Sequence, residues 1–208
     1  MNITRYNKKV FNILGQKHPL VSESLSGVNA PGAKKSAPQP QPGPPPCINC
    51  GICCNESQVS KTTCSTLTLE CIDFRLRDNM GCQLNLLGLR NDYDAACLPG
   101  TSLAYNGNLP GYTGFNTYFD NNVQIAYSLH NIQNLYLVEH ENCGAYKVAY
   151  GTLTPEQELN YQIQNGNQAV ITLLEKFNPT NGTILKIPNL KIIGYRISVD
   201  GCTMTQIY

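Results

Sequence analysis

The sequence predicts an α/β fold, a mainly parallel β-sheet flanked by helices, on three observations. TCSTLTLECID and NLYLVEH (Asn134 to His140) are short runs rich in β-branched and apolar residues, the pattern of buried strands. Between them, DNNVQIAYSLHNI has helical spacing at Val123, Ala126, Tyr127 and His130, where a crossover helix belongs. A long helix then leads into another strand. At 208 residues and 41% hydrophobic, the chain suits one sizeable core with an appendage.

The appendage comes first. Residues 1–46 read as a basic, Pro-rich extended arm with a short helix around Val10–Leu14, since a segment such as PGAKKSAPQPQPGPPP favours polyproline geometry and buries no core of its own. Arg5, Lys8, Lys9, Lys17, Lys34 and Lys35 face Glu23 alone, a net +5, which leaves nine basic against thirteen acidic residues, −4, in the rest. That split predicts an acidic partner for the arm: its own body, a neighbouring subunit or nucleic acid. The arm has no recognised nucleic-acid motif and its aromatics are Tyr6 and Phe11, which weighs against nucleic acid.

Residues 47–65 form a Cys-rich joint, and residues 66–208 the α/β domain. Within the domain, Thr154 is a good N-cap, Pro155 suits the first helical position, Gln157 completes a capping box and Asn178-Pro179 is a stop, so a helix is expected from Thr154 to about Phe177. KIIGYRISV predicts a further strand, and Asp200-Gly201 a two-residue hairpin into CTMTQIY, an antiparallel edge. No window has the length and apolarity of a membrane span, and the basic N-terminus has no apolar segment behind it, so a soluble, non-secreted protein is expected. Ten cysteines in that setting favour metal ligation and free thiols over an extracellular disulfide scaffold.

Two segments carry the chemistry. In ECIDFRLRD, Cys71, Asp73 and Arg75 alternate along a strand end, which would send all three side chains to one face. In VEHENCGAYK, His140 closes a strand and Cys143 follows, with Gly144 expected to let the chain turn closely towards a helix. Both segments fall at the carboxyl ends of neighbouring parallel strands, where open α/β sheets place ligands. Cys71, His140 and Cys143 make a Cys2His set with one position open, the composition of a catalytic zinc (Zn2+) site, and soft thiolates favour zinc over magnesium or calcium.

CxDxR followed by HxxCG resembles the β-class carbonic anhydrases, and CIDFR with HENCGAYK resembles the divergent branch found in bacteria and large DNA viruses. The resemblance covers about Thr66 to Val199. It implies that Cys71, His140 and Cys143 bind zinc and that CO2 is hydrated to bicarbonate by a hydroxide formed on the metal. Asp73 would orient the attacking water, and Arg75 would hold Asp73 away from the metal. In some members the aspartate swings onto the zinc and shuts the site, which by the resemblance would make Asp73 a fourth ligand in an inactive form. CS2 or COS are alternative substrates, because related zinc hydrolases use this ligand set on this fold. The family dimerises, so a homo-oligomer, at least a dimer, is implied, in the cytoplasm or, for a viral source, in the virion. Many members carry an Arg-Asn pair between the two motifs, whereas this chain has DYDAACLPGTSLAYNG, and the arm has no counterpart.

The rival expectation is a non-catalytic or weakly active assembly protein on the same fold, its zinc holding the structure and its arm tethering other subunits. The run CINCGICC, with Cys47, Cys50, Cys53 and Cys54, departs from the bacterial ferredoxin spacing. It is read as disulfides tying the arm to the body or a neighbour, with a second metal clip that includes Cys64 as the alternative. His18 is assigned to the arm and His130 to a helix face, neither with a metal partner at helical spacing.

Overall fold

Strand β1 (Thr66–Cys71) is buried at all six residues because it is covered on both faces and both edges. It lies in the computed structural model between β2 (Tyr93–Leu98) and β3 (Asn134–His140), parallel to both, and β4 (Lys191–Ile197) continues the parallel run beyond β3. β5 (Met204–Gln206) closes the five-stranded order β2-β1-β3-β4-β5 as an antiparallel edge. The expected fold class is therefore the observed one. The structure describes residues 61–208, so the arm, the run Cys47, Cys50, Cys53 and Cys54, and His18 lie outside the described residues.

Helices cover the sheet on two sides. A 3-10 turn (Phe74–Leu76) and α1 (Arg77–Leu86) follow β1, and Leu76, Met80 and Leu84 pack with Val138, Tyr195 and Ile197 on one face. The opposite face holds the larger core, where Leu67, Leu69, Leu135 and Leu137 meet α2 (Ser102–Tyr105), α3 (Phe115–His130), α4 (Gly144–Tyr150) and α5 (Pro155–Phe177). The alternation of Tyr136 and Val138 with Leu135 and Leu137 between the two clusters is the period-two signature of a strand inside a sandwich of helices.

The predicted ends of α5 hold. Thr154 accepts from the Gln157 N–H while the Gln157 side chain accepts from the Thr154 N–H, and Asn178 ends the helix. α3 begins earlier than its apolar spacing indicates, at Phe115, and stops at His130, where Asn131 turns into the left-handed region at φ 59°. The two-residue hairpin is not observed: Ser198 N–H bonds to the Thr203 carbonyl, leaving four residues in the loop, and Asp200-Gly201 forms one side of a turn closed from Gly201 N–H to the Ser198 carbonyl. Two glycines make room for one aromatic ring. A Cβ on Gly166 of α5 would lie 2.1 Å, and one on Gly194 of β4 2.0 Å, from the ring of Tyr208, which locks the last strand onto the long helix.

Candidate metal centre

β1 ends at Cys71, so the strand cannot align Cys71, Asp73 and Arg75 by alternation. Asp73 instead caps the 3-10 turn: its carboxylate Oδ1 accepts from the Arg75 backbone N–H at 3.0 Å. The same tight turn brings the Arg75 guanidinium back onto that carboxylate, with Nε 2.9 Å from Oδ1 and Nη2 2.6 Å from Oδ2. This bidentate fork holds the Asp73 carboxyl down at about 2, well below its usual range, with the hydrogen bonds from Arg75 as the main cause. Nη2 also donates to the Asn142 carbonyl at 3.0 Å, so one guanidinium ties the CIDFR turn to the loop after β3.

That loop turns at Asn142, whose φ of 55° is in the left-handed region. Gly144 has ordinary backbone angles and open space around it, so its neighbour supplies the turn that the sequence assigned to the glycine. Cys143 then caps α4. β1 and β3 are adjacent and parallel, so Cys71 and His140 close neighbouring strands, as expected.

The sulfurs of Cys71 and Cys143 and a ring nitrogen of His140 lie within 4.8 Å of one another, and the three residues are 4%, 2% and 1% exposed. His140 Nδ1 faces the Glu141 carbonyl at 2.9 Å, which it can satisfy as a donor; Nε2 is buried with no hydrogen-bond partner. That tautomer leaves the Nε2 lone pair free for a cation. Asp73 Oδ2 stands 3.8 Å from Nε2, beyond hydrogen-bond reach and outside the mutually close set. The Cys143 thiol bonds to the Cys71 sulfur and holds Cys71 far below the usual thiol range, aided by His140 and the Gly100 N–H; Cys143 is raised in return by the Cys71 thiolate. Burial works against a charged His140, and the adjacent Cys71 outweighs it, raising the imidazole. Two thiols sharing one site and an imidazole with an orphaned lone pair are a donor set that fits zinc.

No protein-family model matches the chain. An uncharacterised protein of Rickettsia conorii is 32% identical over 157 residues, spanning 74% of this chain and 77% of its own length. An uncharacterised protein of Rickettsia bellii is 35% identical over 147 residues, spanning 69% and 82%. The chain belongs to the family of these rickettsial proteins. Among solved structures, a carbonic anhydrase from Glaciozyma antarctica is similar at 15% identity and a TM-score of 0.44, over 73% of this chain and 88% of that one. A β-carbonic anhydrase of Sordaria macrospora, described as tetrameric, gives 15% and 0.44 over 70% and 81%, and one of Aspergillus fumigatus gives 13% and 0.46 over 70% and 76%.

Several residues that support this centre carry no motif. Glu158 on the first turns of α5 accepts from the backbone N–H of Asn142 at 2.9 Å and of Cys143 at 2.7 Å, and Arg196 of β4 donates to the same carboxylate at 3.2 Å. Gln162, one turn on, donates to the His140 carbonyl at 2.8 Å. Polar residues spaced by four on the buried face of a helix are the signal that would have found this pair. In the segment DYDAACLPGTSLAYNG, Gly100 donates its N–H to the Cys71 sulfur at 3.3 Å, with φ 70° and a Cβ position 2.8 Å from Ala145 Cβ, so backbone angle and space both demand glycine. Ser102 donates to Glu139, a fully buried carboxyl next to His140 that burial pushes up to about 8.

Proposed function

We propose that this chain is a zinc-dependent enzyme of carbonic-anhydrase type that hydrates CO2 to bicarbonate, with Cys71, His140 and Cys143 as the metal ligands. The observation that carries this reading is the buried, unpartnered Nε2 of His140 facing two buried thiols, because an orphaned polar atom of that kind is costly unless a ligand occupies it. Zinc, when bound, would lower the pKa of a water towards neutrality and so supply a nucleophile at neutral pH.

The rest of the chemistry belongs to the chain. Asp73, ionised at any physiological pH under the Arg75 fork, accepts a hydrogen bond from the attacking water and so aims its lone pair at the carbon of CO2. Arg75 grips both carboxylate oxygens and keeps Asp73 short of the ligand set. The Gly100 N–H stabilises the Cys71 thiolate, and the walls around the three ligands exclude bulk water. CS2 and COS are linear like CO2 and would meet the same groups, so they belong in the same assay. Ile72 and Phe74 flank Asp73 at 58% and 84% exposure, an apolar lip that a second copy of the chain would cover in a homodimer.

Stopped-flow CO2 hydration by the zinc-loaded protein should exceed the buffer rate, and Cys143→Ser should lose one zinc per chain and all of that excess. A wild-type rate equal to that of buffer would sink the enzymatic reading and leave a building-block protein whose zinc holds the fold.

A further inference from the structure

At the opposite end of the sheet, three residues from three elements converge. Cys64 lies just before β1, Asp94 is the second residue of β2 and His130 is the last residue of α3. The backbone fixes all three: Cys64 N–H donates to the His130 carbonyl at 3.1 Å, and Asp94 is in register with Leu67 of β1. Asp94 Oδ2 lies 2.7 Å from His130 Nδ1 and 3.5 Å from Cys64 Sγ, and the three ligand atoms lie within 4.8 Å of one another. Asp92, two residues before Asp94, is paired with Lys61 beside the group.

We propose that Cys64, Asp94 and His130 form a second divalent-cation site, of the zinc class, at the amino ends of the parallel strands. A thiolate, an imidazole and a carboxylate are the three donor types zinc takes, and the sulfur disfavours magnesium and calcium. Tetrahedral zinc sets its ligand atoms about 3.2–3.6 Å apart, so Asp94 and His130 need only part by about half an ångström while the sulfur swings inward. A Cys–His nucleophile is the competing use of these residues, and the geometry opposes it: Nδ1 of His130 points at Asp94, while the sulfur contacts Asp94 and the Thr66 carbonyl. The half-exposed His130 and Asp94 side chains leave one side open for water to complete the coordination. A cation there would staple the approach to β1, the edge strand β2 and the end of α3 together, at the far end from the candidate catalytic centre.

Zinc content of the full chain, purified reduced, loaded with Zn2+ and dialysed, tests this by elemental analysis. Asp94→Asn and Cys64→Ser should each lose one equivalent per chain against wild type, with an unchanged far-UV circular dichroism spectrum. With Co2+ in place of zinc, Cys64→Ser should also lose intensity in the thiolate-to-cobalt charge-transfer band. No loss of metal in either variant would overturn the proposal and leave an ordinary His130–Asp94 contact beside a half-buried thiol. Should a variant fail to fold, the wild-type chain decides: its melting temperature and that of His130→Gln are compared with and without Zn2+, and an equal zinc shift in both overturns the site. Cys143→Ser, run in parallel, separates the two centres. If it keeps its zinc while Asp94→Asn loses one equivalent, the catalytic reading fails and the second site stands.

Discussion

At the carboxyl ends of β1 and β3, Cys71, His140 and Cys143 are 4%, 1% and 2% exposed, whereas at the amino ends the side chains of His130 and Asp94 keep 40% and 32% of their surface in water. Both clusters combine thiol and imidazole, yet only the first buries a ring nitrogen without a partner among the described residues. In the second, His130 and Asp94 satisfy each other. The contrast is one of solvation: a half-exposed cluster can leave polar atoms to water, whereas a sealed one must satisfy them from within or with a bound ligand. The support differs in the same sense. Glu158, Gln162, Arg196 and Gly100 surround the sealed cluster, while the open one is positioned mainly by backbone, with the Thr68 hydroxyl donating to the Asp94 carbonyl.

The sharpest way to break that comparison is a matched pair of histidine variants. His140→Ala should lose its zinc and bring CO2 hydration down to the buffer rate, while His130→Ala should keep the hydration rate within about twofold, both read by stopped flow with zinc analysis; equal losses would erase the distinction. Next in size, Glu158→Ala removes the carboxylate from two backbone N–H groups and from Arg196, and should cost about 3 kcal/mol in urea unfolding and weaken zinc binding about 10- to 100-fold in chelator competition. Asp73→Asn should keep the zinc and lower kcat/KM about 100-fold, since it removes an acceptor and leaves the ligands alone.

The same residue carries a pH signature. Its carboxyl is depressed from 3.8 to about 2, so its stabilising contribution is full above pH 4 and is lost as pH falls through about 2. The difference in stability between wild type and Asp73→Asn should therefore be flat above pH 4 and shrink below it, as read by denaturant titration at each pH. Smallest of all, His130→Gln without added metal should change stability by about 1 kcal/mol or less, because its contact with Asp94 is half in water.

Much of this architecture can be read from residues in order. β3 was readable as a continuous buried run, and α5 through Thr154, Pro155 and Gln157, because local chemistry decides both. β2 was not: YDAACL has no β-branched residue, and pairing with β1 makes it a strand. α1 is mostly polar and shows its apolar face through Met80 and Leu84. The convergence of Cys71, His140 and Cys143 was legible because each motif is compact and falls at a strand end. Asp73 and Arg75 were assigned as partners, though by the wrong geometry, since a 3-10 turn and not a strand brings them together. Cys64, Asp94 and His130 were illegible as a group: their meeting depends on sheet order and on where α3 stops, and no local spacing records either.

The Arg75 fork has a consequence for what the loss of one side chain would undo. One guanidinium holds the Asp73 carboxylate and the Asn142 carbonyl together, while Glu158 holds the loop that carries Cys143 through the Asn142 and Cys143 N–H groups, so the two halves of the centre are fastened by separate residues. Loss of Arg75 would free Asp73 from its clamp yet leave Cys143 anchored, as a door unlatched on one side keeps its hinge.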